Sequence, residues 1–258
     1  MGLIDSHAHL TYPELSGQLD GVLARCADAG VERVITIGTD LADARAAVAL
    51  ADRHAGRIHA AVGFHPHHAD AVTDSALAAM GELWRDARVV AFGEMGLDHH
   101  YDLADRAKQR TVFEKQLDMA RALDKPIIIH SRESIGDSVP ILLDHGFAGR
   151  RVVFHCFTGT AHEATRLAEH GWRISFTGIL TFPKSTELQG IARNYPAEQL
   201  MVETDSPYLS PVPVRGKRPN EPSHVAHLAR FLANLRGVPY DELVERTSAN
   251  TRAFFGLE

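Results

Sequence analysis

Pro126-Ile127-Ile128-Ile129-His130-Ser131-Arg132 and, next along the chain, Arg151-Val152-Val153-Phe154-His155-Cys156 each run β-branched and apolar for three or more residues before ending on a histidine. Such runs read as buried strands, because branched side chains pack well on a pleated surface. Working outward, similar runs occur at Leu3 to Ile4, Val34 to Ile37, Ile58 to Val62, Val89 to Phe92, Arg173 to Phe176 and Leu200 to Val202. Between most of them lie stretches with helical spacing, such as Val112, Phe113, Gln116, Leu117, Ala120 and Leu123, or Val225, Leu228, Leu232 and Leu235. From Leu3 to Leu200 the interval averages about 28 residues, the length of a βα unit. Eight such units without internal repetition predict a (β/α)8 TIM barrel, an α/β fold formed by residues 1–258 as a single domain. The competing arrangement is an open doubly wound sheet. No GxGxxG follows the first strand, and the polar chemistry is spread over many strand ends, both of which favour the closed barrel.

Charge and cysteine content narrow the chemistry. The 27 Lys and Arg against 33 Asp and Glu leave a net charge of −6, which argues against a broad basic surface for non-specific nucleic-acid binding. Asp5, His7 and His9 interrupt the stretch where a signal peptide would need an apolar core, and no later run is apolar enough to span a membrane. A cytoplasmic protein without membrane association is expected. Cys26 and Cys156 are the only cysteines, so any metal must bind through nitrogen and oxygen. Alternation along strand six turns Cys156 away from His155, and its thiol is expected to pack as a small buried hydrophobe.

Position picks out which of the 16 histidines matter. In Asp5-Ser6-His7-Ala8-His9 the two imidazoles are two residues apart and share one strand face. A lone HxH is weak evidence, since paired histidines also occur on ordinary surfaces. Strand four runs into Gly93-Glu94-Met95-Gly96-Leu97-Asp98, where Glu94 could bridge two cations, the glycines letting metal and substrate approach the backbone; the bland reading of this segment is a turn. One histidine ending an apolar strand is usually a hydrogen-bonded core residue, but His130 and His155 occupy the same depth in successive strands. In strand eight, Glu203 and Asp205 fall on one face, with Asp205 nearer the mouth. His7, His9, Glu94, His130, His155 and Asp205 therefore form a candidate ligand set for two divalent cations. His7, His9 and Asp205 take one, His130 and His155 the other, and Glu94 lies between them. Imidazole favours zinc, while the carboxylates also accept manganese or magnesium.

These segments resemble the TatD-type metal-dependent deoxyribonucleases of the amidohydrolase superfamily. DSHAHL (Asp5 to Leu10), VGFHPH (Val62 to His67), GEMGLD (Gly93 to Asp98), IIHSRE (Ile128 to Glu133), VFHCFTG (Val153 to Gly159), VETDSPYL (Val202 to Leu209) and RGKRPNEP (Arg215 to Pro222) fall in the family's order over nearly the whole chain. The resemblance implies a somewhat distorted barrel, the same six metal-binding positions, and a 3′–5′ exonuclease that removes nucleotides from DNA ends, bound transiently, through a metal-activated water. On mechanistic grounds Asp205, a ligand that also faces the shared water, is the candidate base, with Glu94 the other catalytic carboxylate and Glu203 expected just behind them on the substrate side. His65 and Arg132 are implied as phosphate contacts, set against a turn histidine and a surface ion pair. One departure is His99-His100-Tyr101 after Asp98, where relatives place a tyrosine directly. Strand four offers Glu94 and no lysine, unlike the phosphotriesterase and dihydroorotase branches.

Two other functions use the same residues. A binuclear site also polarises carbonyl groups, so a carboxylic ester, lactone or amide could be the substrate. A non-catalytic metal-binding scaffold is the alternative from a different class, although no stable protein partner is expected. The loop from Ser210 to Pro222 carries Arg215, Lys217 and Arg218, which read either as phosphate contacts or as a solvated segment.

Overall fold

The computed structural model describes residues 2–258. Its strands are β1 (Leu3–Ala8), β2 (Val31–Gly38), β3 (Ile58–Val62), β4 (Val89–Asp98), β5 (Ile127–Arg132), β6 (Val152–Phe154), β7 (Arg173–Phe176) and β8 (Leu200–Val202). They pair in parallel in sequence order to form one eight-stranded sheet. The ring closes sparingly: Ala8 bridges Ser206, the Asp205 amide donates to the His7 carbonyl at 3.0 Å, and the His9 amide donates to the Ser206 carbonyl at 2.7 Å. That thin seam is the distortion of the expected (β/α)8 barrel.

Helices α1 (Pro13–Ser16), α2 (Leu19–Asp28), α3 (Leu41–Arg53), α4 (Asp74–Leu83), α5 (Arg106–Arg121), α6 (Ile135–Asp144), α7 (Ala161–Glu169), α8 (Thr186–Asn194), α9 (Val225–Arg236) and α10 (Tyr240–Phe255) surround it. Among the described residues no helix is long and apolar enough to cross a membrane. Several helices begin with side-chain caps that satisfy otherwise unpaired amides: Asp40 for α3, Thr73 for α4, Asp105 for α5, and a full capping box of Thr160 and Glu163 for α7.

Two apolar clusters show how alternation organises the strands. The larger joins the outward strand faces to the helices, through residues such as Val34, Phe92, Ile129, Phe154 and Leu167. The smaller takes Ile35, Ile37, Ala61, Ala91, Ile128, Val153 and Met201 from the strands' inner faces, with Phe254 and Phe255 of α10 closing the base. A strand repeats its facing every second residue, so the positions two beyond these inner residues also point inward, nearer the C-terminal mouth. Two beyond Ile128, Val153 and Met201 stand His130, His155 and Glu203. The packed floor and the polar site are successive layers of one interior.

Candidate metal centre

Glu94 occupies the centre. By parity with Ala91 it would point outward, but the β4–β5 register shifts between Phe92 and Met95, which turns Glu94, Gly96 and Asp98 inward while Met95 and Leu97 join the outer cluster. The segment is continuous strand through Asp98, not the turn that its glycines suggest. Nor do the glycines open the backbone to a ligand. A Cβ on Gly96 would collide with the His130 carbonyl oxygen, and one on Gly93 with that of Ile128, while φ is +144° and +127° at the two positions. Both glycines exist so that β4 can lie against β5.

The two oxygens of Glu94 face different histidines. Oε1 lies 2.7 Å from His130 Nδ1, 2.6 Å from His155 Nε2 and 3.4 Å from His65 Nε2. Oε2 lies 3.3 Å from His7 Nε2 and 4.0 Å from His9 Nε2. Asp205 Oδ1 reaches the same pair, 3.3 Å from His9 and 3.7 Å from His7. Thus all six candidate ligands meet in one place, His7 and His9 toward Oε2 and His130 and His155 toward Oε1, although the His7 and His155 rings also stack with centroids 3.9 Å apart and share a donor cluster with Glu203. The sets His7, His9, Glu94 and Glu94, His130, His155 each bring their donor atoms within 4.8 Å of one another, close enough to share a cation.

A metal suits these donors. His7 is fully buried, and neither of its ring nitrogens makes a hydrogen bond; Nδ1 of His9 is likewise buried and unpartnered. Buried polar atoms are seldom left so, because each forfeits its hydration for nothing. A divalent cation seated between the lone pair of His7 Nε2 and the carboxylates of Glu94 and Asp205, which face that nitrogen, accounts for the His7 Nε2 atom.

Electrostatics favour ionised carboxylates here. Burial pushes Glu94 upward, but His155, His65 and His130 together hold its carboxyl well below the usual range. Asp205 is also lowered: burial opposes, and His9 and His7 prevail. For His155 and His130, burial disfavours the charged ring, yet Glu94, with Glu203 for the former and Asp98 for the latter, raises both. His65 behaves oppositely, since burial drives it to about 3 and leaves it neutral at physiological pH.

Around the centre, Glu203 is almost fully buried and accepts from the Cys156 amide at 2.7 Å, with Oε1 3.4 Å from His155 Nδ1. Although Glu203 and Asp205 were expected on one strand face, β8 stops at Val202 and Asp205 adopts φ +53°, so the two carboxylates serve opposite halves of the centre. His65 combines both of its readings. Its Nδ1 accepts from the His67 amide, capping the 3-10 turn Pro66–Ala71, while Nε2 faces Glu94 and lies 3.3 Å from His130 Nδ1. Arg132 makes no ion pair among the described residues; it lines the cavity, with its guanidinium carbon 5.8 Å from the Tyr101 ring centroid. Cys156 departs from expectation. β6 ends at Phe154, Cys156 takes φ +46°, and the residue is half-buried on the cavity wall instead of packed away from it.

Four residues of the site escaped the sequence reading. Asp98 Oδ2 lies 2.8 Å from His67 Nε2 and 3.1 Å from His130 Nε2, so it orients the His130 ring from the side away from Glu94. From α5, Gln109 pairs with the Asp98 backbone in both directions, and Gln116 does the same for Phe64. For His67 and Asp98 a signal existed: His65-Pro66-His67 repeats the HxH spacing, and Asp98 follows Glu94 at even spacing. The glutamines carried none, being indistinguishable from helix polar residues. The cavity over the centre measures about 700 Å³, within the range of small-ligand sites, and Tyr12, Tyr101 and Tyr208 stand in its walls.

A family model described as TatD related DNase matches residues 4–256. The chain belongs to the TatD family. It is 36% identical over 255 residues to the metal-dependent hydrolase YabD of Bacillus subtilis (strain 168), covering 99% of each chain. With the 3′-5′ ssDNA/RNA exonuclease TatD of Erwinia amylovora it shares 33% over 259 residues, 99% of this chain and 100% of the relative. The crystal structure of YJJV, a TatD homolog from Escherichia coli K12, superposes with a TM-score of 0.93 at 31% identity, covering 99% of this chain and 98% of that one. As a TatD-family member the protein is a metal-dependent hydrolase that cleaves ester bonds, and its His and Glu cluster is able to hold metal.

Proposed function

We propose that this protein trims single-stranded nucleic acid from its 3′ end by phosphodiester hydrolysis, with two divalent cations held on either side of Glu94. The division of Glu94's oxygens carries this reading: Oε1 turns to His130 and His155 and Oε2 to His7 and His9, so one carboxylate reaches two sites without moving. His7, His9 and Asp205 would hold one cation, His130 and His155 the other. Bound in pairs, such cations acidify a shared water and stabilise charge on the oxygens of a phosphodiester.

The side chains supply the rest. Asp205 Oδ1 faces the histidines, which leaves Oδ2 to accept a proton and return it to the leaving oxygen; its lowered pKa keeps it in the accepting form at neutral pH. Asp98 orients the His130 ring from its far nitrogen and Glu203 faces His155 Nδ1 at 3.4 Å, so that with a cation bound in place of the ring protons the nitrogens nearest Glu94 would be the ones to present lone pairs. Arg132 offers the cavity a fixed positive charge for a phosphate, and neutral His65 a hydrogen bond. A cavity of this size takes a strand end and not a paired duplex, and its tyrosines provide faces on which bases stack. The name of the Erwinia relative supports the polarity of cleavage.

The test uses metal-depleted protein reloaded with zinc, manganese or magnesium in turn, given oligothymidylate labelled at either end and a panel of lactones. A 5′ label should pass through progressively shorter products, and a 3′ label should appear at once as mononucleotide. Turnover of lactones alone would overturn the assignment.

A further inference from the structure

A second cavity, of about 620 Å³, lies beside the first at the barrel mouth, with Tyr208 and Leu209 lining both. Its wall carries Arg215, Lys217 and Arg218 from the loop after β8, against one carboxylate, Glu14. On a chain with net charge −6, three cations within four residues stand out, and none of them forms an ion pair among the described residues. Nor is the loop a loose segment. Arg215 lies flat over Phe182, its guanidinium carbon 3.9 Å from the ring centroid. Ser210 Oγ donates to the Lys217 carbonyl at 2.7 Å, the Lys217 amide donates to Val214 at 3.0 Å, and the Val212 amide donates to Thr181 Oγ1 at 2.8 Å. At the loop's end Glu221 is clamped by Arg25 through two oxygens, and Asn220 donates to the Thr204 carbonyl at 3.1 Å. Free charges held on an ordered frame are arranged for a ligand and contribute little to the fold's own stability.

From this placement we infer that the Arg215–Arg218 loop is a secondary subsite for the substrate strand, gripping the phosphates on the 5′ side of the scissile bond while the neighbouring bases cross Tyr208, which is 52% exposed. This rests on the phosphodiesterase reading above. With hydrolysis at the 3′ end, the strand body leaves the central cavity on one side only. Of the two neighbouring cavities that share lining with it, the one beside Ser131, Arg132 and Thr158 sets Glu133 and Glu163 against a single arginine, and the one beside Tyr208 carries three cations against one carboxylate, which favours the latter for a polyanion. The ligand class is a single-stranded polyanion with aromatic bases: cations track its backbone and ring faces take its bases. The grip acts only on substrates long enough to reach it.

The experiment compares wild type with R215A/K217A/R218A, and with the single variant R218E, on two probes: a long oligothymidylate and bis(p-nitrophenyl) phosphate, which is too small to span both cavities. The expected result is at least a tenfold fall in the ratio of kcat/KM on the oligonucleotide to that on the small diester. In parallel, the salt dependence of oligonucleotide KM should weaken by about 2 in log–log slope for the triple variant, three lost phosphate contacts at roughly 0.7 each. An unchanged ratio with an unchanged salt slope overturns the subsite and leaves the phosphodiesterase reading intact. A wild type that turns over neither phosphodiester with any of the three metals overturns that reading, and the subsite with it. Circular dichroism verifies that the variants keep the fold.

Discussion

Replacing Gly96 by alanine tests whether the site's geometry depends on the close approach of β4 to β5. Gly96 has φ +144°, and an added Cβ would strike the carbonyl oxygen of His130 on the neighbouring strand, well inside contact distance. Holding an L residue in that conformation costs about 1–3 kcal/mol. Forcing the strands apart to relieve the collision adds about 1–3 kcal/mol. The sum is centred near 4 kcal/mol, and a protein of this size loses roughly 2–4 °C of Tm per kcal/mol, so a drop of about 8–16 °C is expected. Because the backbone that must yield carries His130, bound metal should fall in the same variant. Thermal unfolding followed by circular dichroism, with metal content by mass spectrometry, reads both. A matched control is Gly190→Ala in α8, where nothing lies within 4 Å of the new Cβ and the exchange of glycine for a better helix former should raise Tm by roughly 2–4 °C. A G96A protein with Tm within about 2 °C of wild type and full metal content would refute the argument.

Glu94→Gln removes the carboxylate shared by both histidine groups; turnover should fall at least ~100-fold, beyond the usual cost of losing an outer partner of a metal ligand, with bound metal reduced in mass spectrometry and the far-UV spectrum retained. Adding metal to the depleted protein at a hundredfold excess over Kd should stabilise it by about 2.7 kcal/mol, a rise of roughly 5–11 °C, whereas a chain with no folded-state site would show no shift in a thermal scan. Glu221→Gln should cost about 1–2 kcal/mol at pH 7, since the carboxylate is largely buried although Arg25 is half exposed. Burial raises the pKa of Glu221, but Arg25 and Ser223 hold it below its ordinary value, so its contribution is present above the unfolded pKa and lost as pH falls through the folded one. The Tm gap between wild type and E221Q should therefore close on acidification below about pH 4, and a gap independent of pH would exclude the ion pair as its source.

Much of the centre was legible before any coordinates. His130 and His155 end apolar strands at equal depth, and their inward facing follows from a two-residue repeat that begins in the packed floor at Ile128 and Val153. Where that repeat fails, the reading failed with it. Asp205 and Cys156 lie past the last residue of their strands with positive φ, so alternation could not place them, and Cys156 was assigned to the wrong environment. Asp98 was passed over because its partners, His67 and His130, arrive from β3's connection and β5, far away in sequence.

Taken alone, the order of residues determined the strand-and-helix alternation, the parallel barrel and the candidate ligand set that the fold brings together, because periodicity and ligand chemistry are local properties that survive without a third dimension. Only the folded chain decided that Glu94 turns inward through a register shift, that its two oxygens face different histidines, that Glu203 and Asp205 part company, and that the basic loop lines a cavity bordering the central one at Tyr208 and Leu209. Those outcomes depend on which strands lie side by side and how closely they approach, and pairing between distant segments is set by packing across the whole barrel.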